Sequence, residues 1–211
     1  MKLVGIYGAS GHGREVMAML PKVADTDYVF IDDNEQAETV NNHRCLSWEE
    51  FVNAPASSRQ AVLAIGDGKV RERLSRKCED ADIGFLPAHA ESAVILDDVK
   101  LGEGAVLCPF SMVTCNVTIG RQFHANYYAQ VSHDCVIGDF VTLAPGARCN
   151  GNVVIEDHAY IGSDAVLRQG RPGEPLVIGK GATVGMGAVV TRNVPAGITV
   201  VGNPARPLEK Y

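Results

Sequence analysis

The chain lacks a long apolar run, a basic excess and any C-x-x-C pair, and each absence closes off a class of function. No stretch approaches the roughly 18 apolar residues of a membrane span, so no membrane partner is expected. Lys and Arg number 19 against 25 Asp and Glu, a net charge of −6. Binding a phosphate backbone needs the opposite balance, so nucleic acid is not expected as a partner. The six cysteines, at 45, 78, 108, 115, 135 and 149, form neither a zinc pattern nor a disulfide framework. Reduced thiols in a cytoplasmic protein are the expectation. Met1-Lys2 runs straight into the strand-like residues 3–7, with no leader pattern. The histidines show no metal-ligand spacing, so no metal is expected.

What is present divides into two halves with different patterns. At 211 residues and 46% hydrophobic, the chain can bury one or two cores. Residues 1–87 alternate strand signals (2–7, 28–31, 61–65, 83–86) with helix signals (14–20, 69–78). That alternation predicts an α/β domain with a small, Rossmann-like parallel sheet. Ligands of such sheets sit beyond the carboxyl ends of the strands. Gly8-Ala9-Ser10-Gly11-His12-Gly13, Asp32-Asp33 and Gly66 all fall there. The glycine turn opens a helix, whose free N–H groups attract phosphate. Its spacing is G-x-x-G-x-G, not the dinucleotide fingerprint. The half is also short for two nucleotide-binding units, so one nucleoside diphosphate is expected, with Asp32 and Asp33 on ribose or base. The competing reading makes these residues ordinary turn formers.

Residues 88–211 follow a period of six. An aliphatic or small residue opens each hexad: Ile95, Leu101, Leu107, Val113, Ile119, Ala125, Val131, Ile137, Leu143, Cys149, Ile155, Ile161, Leu167. Position five is small or apolar as well, as at Ala105, Val117, Ala129, Val141, Ala147, Ala159 and Ala165. Residues 168–177 break the register and read as a protruding loop; the period resumes at Ile178, Val184 and Val190. Two inward positions in six suit a short strand and a turn, and three such faces make a triangular coil of a parallel β-helix.

Stacking turns sequence distance into geometry. Residues eighteen apart lie one above the other, so Gly151 should cover His133 at a spacing of about 4.8 Å. A base beside an exposed backbone N–H suits acyl transfer: one takes a proton from the nucleophile, the other steadies the developing oxyanion. Asp134 could fix the imidazole tautomer, provided that the chain turns at the pair. The alternative is an exposed turn histidine beside a solvated acid. His89 and His158 read as surface residues, His43 as part of a polar loop, and His124 as a hexad-closing residue that could face another subunit.

The chain resembles the nucleotide-sugar N-acetyltransferases of the bacillosamine, viosamine and perosamine group, hexapeptide-repeat enzymes related to the sialic-acid O-acetyltransferases. The resemblance rests on residues 7–13 with Asp32-Asp33, on Ala64-Ile65-Gly66, on Ser132-His133-Asp134-Cys135-Val136-Ile137-Gly138, and on Val201-Gly202-Asn203-Pro204-Ala205-Arg206-Pro207. It implies a left-handed β-helix, a homotrimer and acetyl-CoA as acyl donor. His133 would be the general base and Asp134 the acid that raises its basicity. Gly11, His12, Gly13, Asp32, Asp33 and Gly66 would hold the nucleotide, and Asn126 would place the sugar. Thr142, Gly151, Ser163 and Met186 would meet the cofactor. Thr142 stands where some bacillosamine enzymes have a second histidine. The implied reaction is acetylation of the C4 amine of a UDP- or dTDP-linked 4-amino-4,6-dideoxy sugar, GDP less so, for a surface glycan such as lipopolysaccharide O-antigen. Sugar O-acetylation, a non-catalytic nucleotide-sugar-binding solenoid and a zinc solenoid of the carbonic-anhydrase kind are the rivals.

Overall fold

The structure is a computed structural model that describes residues 1–34 and 37–208. The first half forms a six-stranded sheet with β1 (Lys2–Tyr7), β2 (Thr26–Ile31), β3 (Thr39–Val40), β4 (His43–Leu46), β5 (Arg59–Leu63) and β6 (Gly84–Phe85) in the order β3-β4-β2-β1-β5-β6. Every pairing is parallel except β3 with β4. β1 is buried from Leu3 onward, as a central strand covered on both faces must be. Helices α1 (Gly11–Met19), α2 (Trp48–Asn53) and α3 (Gly68–Asp80) connect the strands.

The two faces of the sheet meet different neighbours. Val4, Ile6, Phe30 and Val62 pack with Val16 and Met17 of α1, and with Ala88, Val106 and Cys108 of the second half. Leu3, Tyr7, Val29, Ile31 and Leu63 pack with Phe51 of α2 and Cys78 of α3. The α1 side therefore docks on the rest of the molecule.

The second half is the expected solenoid. Residues eighteen apart pair in parallel: Leu107 with Ala125, Ala125 with Leu143, Val131 with Cys149, Ile119 with Ile137. Three stacked sheets result, and the hexad-opening residues point into one core from Leu107 to Val200. Each buried Val, Leu or Ile there contributes about 1.5–3 kcal/mol. A five-residue insertion carries a small hairpin, bridged from Arg171 to Glu174, after which Val153–Ile155 pairs with Leu176–Ile178. One regularity went unread in the sequence. Position four of every hexad from Asp98 to Asp164 has positive φ, so each corner turns through one left-handed residue. Asp, Asn and Gly hold most of these positions, because they tolerate that conformation best.

Candidate active site

His133 and Asp134 occupy one such corner, between strands Gln130–Val131 and Val136–Ile137. Asp134 has φ 58°, and this turn lets two adjacent side chains meet. His133 Nδ1 lies 2.7 Å from Asp134 Oδ2. An ionised carboxylate can only accept, so Nδ1 carries the proton and Nε2 is left as the acceptor. Asp134 Oδ1 accepts a second bond, from Asn116 Nδ2 at 3.2 Å. The His133 bond first, and the Asn116 bond after it, hold the Asp134 carboxyl below its ordinary pKa.

Gly151 lies beside the imidazole, as the stacking argument requires. A Cβ added there would stand 2.4 Å from Cε1 and 2.5 Å from Nε2 of His133, so any side chain would displace the ring. Among the described residues, the Gly151 N–H has no hydrogen-bond acceptor, while its carbonyl accepts from Gly170. A proton acceptor and an uncommitted backbone donor thus share one corner.

Asn126, Ser163 and Met186 belong to a different corner. The pairing of Tyr160 with Thr183 sets Ser163 next to Met186 on adjacent coils, and Met186 is 81% exposed. Asn126 follows strand His124–Ala125 in the same column, two coils below Gly162, and its Oδ1 accepts from Cys108 Sγ at 3.6 Å. A whole sheet, containing Gln130–Val131 and Arg148–Cys149, separates this column from His133. One chain therefore does not bring Asn126, Ser163 and Met186 together with the base.

At the carboxyl ends of β1 and β2, a cavity of about 310 Å³ is lined by Tyr7, Gly8, Asp32, Asp33, Asn34, Ile65, Val70, Leu74 and Lys77. Gly13 has no room for a side chain: its Cβ would fall 1.8 Å from Gly8 O, which lets α1 begin hard against β1. Asp32 accepts the N–H groups of Ala9 and Asn34, both at 3.0 Å. Asp33 accepts Trp48 N–H at 2.7 Å and the Tyr7 hydroxyl at 3.3 Å, with Lys77 Nζ at 3.4 Å. The Trp48 bond is the main reason its pKa is held down. Tyr7 stacks on Trp48, and Lys77 Nζ lies 4.6 Å from the Trp48 ring centre. Both acids reach the cavity, yet each also shapes the loop that carries it.

Three other expected ligands lie at the contact between the halves. Thr142 is buried, its hydroxyl donating to Gly66 O at 2.9 Å and accepting from Arg71 at 3.0 Å. That hydroxyl is committed to the domain contact. Gly66 offers its carbonyl to both partners. His12 turns away from the cavity, toward Glu15 and the buried His124 ring 5.3 Å off. Gly11 meets nothing that a Cβ would touch. Gly66 and Thr142 also border a second cavity of about 520 Å³, with Asp67, Lys69, His158, Tyr160 and Thr183.

Two positions with defined polar contacts escaped the sequence reading. Asn116 carried no motif, and only the eighteen-residue spacing from Asp134 could have found it. Arg71 stands within the helix signal at 69–78 with nothing to single it out. It is fully buried, and donates to Ile65 O, Gly66 O, Gln122 O, Val141 O and Thr142 Oγ1. Burial pushes its pKa down to about 9.

Residues 3–78 match the PglD N-terminal domain. The chain is 47% identical, over 100% of its own length and 98% of the relative's, to GDP-perosamine N-acetyltransferase of Escherichia coli O157:H7. The chain belongs to the nucleotide-sugar N-acetyltransferases. WeeI from Acinetobacter baumannii AYE superimposes with a TM-score of 0.96 at 52% identity, over 99% of this chain and 100% of that one. PerB from Caulobacter crescentus, in complex with CoA and GDP-perosamine, superimposes with a TM-score of 0.86 at 26% identity, over 98% and 97%. The solenoid is thus the left-handed β-helix of the hexapeptide-repeat acetyltransferases. This family member is an acetyl-CoA-dependent acyltransferase that N-acetylates a nucleotide-linked amino sugar. No group of His, Cys, Asp and Glu among the described residues could hold a metal ion, and no described helix is long and apolar enough to cross a membrane.

Proposed function

We propose that the chain acetylates the C4 amine of a GDP-linked 4-amino-4,6-dideoxy sugar, with His133 as general base. The observation that carries the base is the corner itself: Nδ1 bonded to Asp134 at 2.7 Å, Nε2 free, and Gly151 alongside. Acetyl-CoA supplies an acyl group already activated as a thioester. His133 Nε2 accepts the proton of the attacking amine, Asp134 stabilises the imidazolium that forms, and the Gly151 N–H meets the charge that develops on the acyl oxygen. The sequence alone favoured UDP or dTDP over GDP. The 47% relative that acts on GDP-perosamine, together with PerB bound to it, moves GDP to the front.

Residues 1–87 serve to hold the nucleotide and residues 88–211 to carry the chemistry. Tyr7, Asp32, Asp33 and Lys77 surround the nucleotide, with the N–H groups at Gly11–Gly13 toward its phosphates. Two separated columns of site residues on one chain support a homotrimer, in which the Asn126–Ser163–Met186 corner of one subunit faces the His133 corner of the next. Cyclic symmetry closes such a site three times with one contact type. Release of CoA, measured with GDP-, UDP- and dTDP-linked 4-amino sugars, tests the acceptor. Turnover should be fastest with the GDP sugar. Acetylation of a hydroxyl sugar with none of any amino sugar would overturn the reading.

A further inference from the structure

We propose that Asn116 is a positioning residue for the general base, holding Asp134 in the one orientation that braces His133. The proposal rests on His133 being the base, and its test separates the two.

Asp98, Asn116, Asp134 and Asn152 stack at eighteen-residue intervals, all with φ between 53° and 58°. A left-handed corner accepts Asn and Asp alike, so conformation does not choose between them at 116. Their chemistry differs. An amide has N–H donors, and an ionised carboxylate has none. Asn116 donates to Asp134 Oδ1 while Oδ2 accepts from His133, so both carboxylate oxygens are tied and the carboxylate plane cannot swing. Asp134 needs that restraint, because its side chain is 46% exposed. The order Asn116–Asp134–His133 is a relay in which each member orients the next.

The surroundings sharpen the choice of Asn. Asp98 lies on the coil below Asn116, and an Asp at 116 would place three carboxylates in one column. The other groups at this corner are thiols, one guanidinium and Asp97, whose carbonyl accepts Asn116 N–H at 3.3 Å. Cys115 precedes Asn116 and its carbonyl accepts Asp134 N–H, and Cys135 Sγ donates to His133 O at 3.5 Å. Arg168, two coils above Ser132, is turned to the carbonyls of Thr191 and Gln169. Asn152 above is neutral, and its N–H bonds to His133 O.

Steady-state kinetics of Asn116→Gly and Asn116→Asp across pH, with His133→Ala as control and thermal unfolding to confirm folding, tests this. Both replacements suit a left-handed corner, so a merely structural role predicts wild-type behaviour. The relay predicts that Asn116→Gly lowers kcat about tenfold, with KM for both substrates unchanged, because a base held loosely spends less time in line. It predicts that Asn116→Asp lowers kcat as well and moves the acid limb of the kcat profile to higher pH, since added negative charge favours the imidazolium. Wild-type kcat and profile in both variants, beside an inactive His133→Ala, overturn the proposal alone. Full activity in His133→Ala overturns the base assignment, and this proposal with it.

Discussion

At position 151 a single methyl group decides whether the imidazole keeps its place. Its Cβ would stand 2.4 Å from the ring, well inside contact distance, and the neighbouring coils leave the backbone no freedom to yield. Gly151→Ala should therefore lower kcat about 100-fold, as an ångström-scale displacement of a base does, with little change in melting temperature. His133→Ala should lower kcat by about 10²–10⁴, the span of general-base catalysis. Calorimetric titration should show its acetyl-CoA affinity nearly unchanged, because the ring meets the reacting atoms and not the nucleotide of the cofactor. At this scale the pair His133 and Gly151 was legible, since the hexad register places them together without any structure. Asn116 was not, because a bond between the same corner of two successive coils leaves no local motif.

The elements show where local signals sufficed and where they were overlooked. β1, β2, β5 and the three-faced coil followed from apolar periodicity. β3, β4 and α2 were missed, although Ser47 and Glu50 form a capping box that marks the start of α2. The hydroxyl of Ser47 accepts Glu50 N–H, and the Glu50 carboxylate accepts Ser47 N–H, so the signal was present in the residues themselves. The joint between α3 and the solenoid had no sequence signal. Arg71 satisfies four carbonyls and one hydroxyl there, with no carboxylate bonded to it among the described residues. Arg71→Met should cost about 3 kcal/mol, because it leaves those buried acceptors unpaired, and chemical denaturation would read the loss. The same change should raise KM for the nucleotide sugar more than KM for acetyl-CoA, since it frees the half proposed to hold the nucleotide.

For the whole molecule, pH acts through buried histidines. Burial lowers the pKa of His12, His89 and His124, His124 most, with Arg71 adding to its depression. A histidine whose folded pKa lies below its ordinary 6.5 binds protons more tightly when unfolded. Its contribution to stability is complete above pH 6.5 and is lost as pH falls through the folded values. The melting temperature should therefore hold near neutrality and fall steadily below pH 6.5, and His124→Asn should flatten that slope. A melting temperature that rises on acidification would contradict this. By itself the sequence determined the six-residue coil, the parallel α/β half before it, and the meeting of His133 with Gly151, because repeats and periodicity are local and their stacking is arithmetic. Tertiary structure alone decided that Thr142, Gly66 and His12 belong to the domain contact, that Arg71 locks it, and that Asn126, Ser163 and Met186 lie at a corner away from His133. Those facts depend on which faces of the two halves are pressed together, and burial between halves is not written in the period of either.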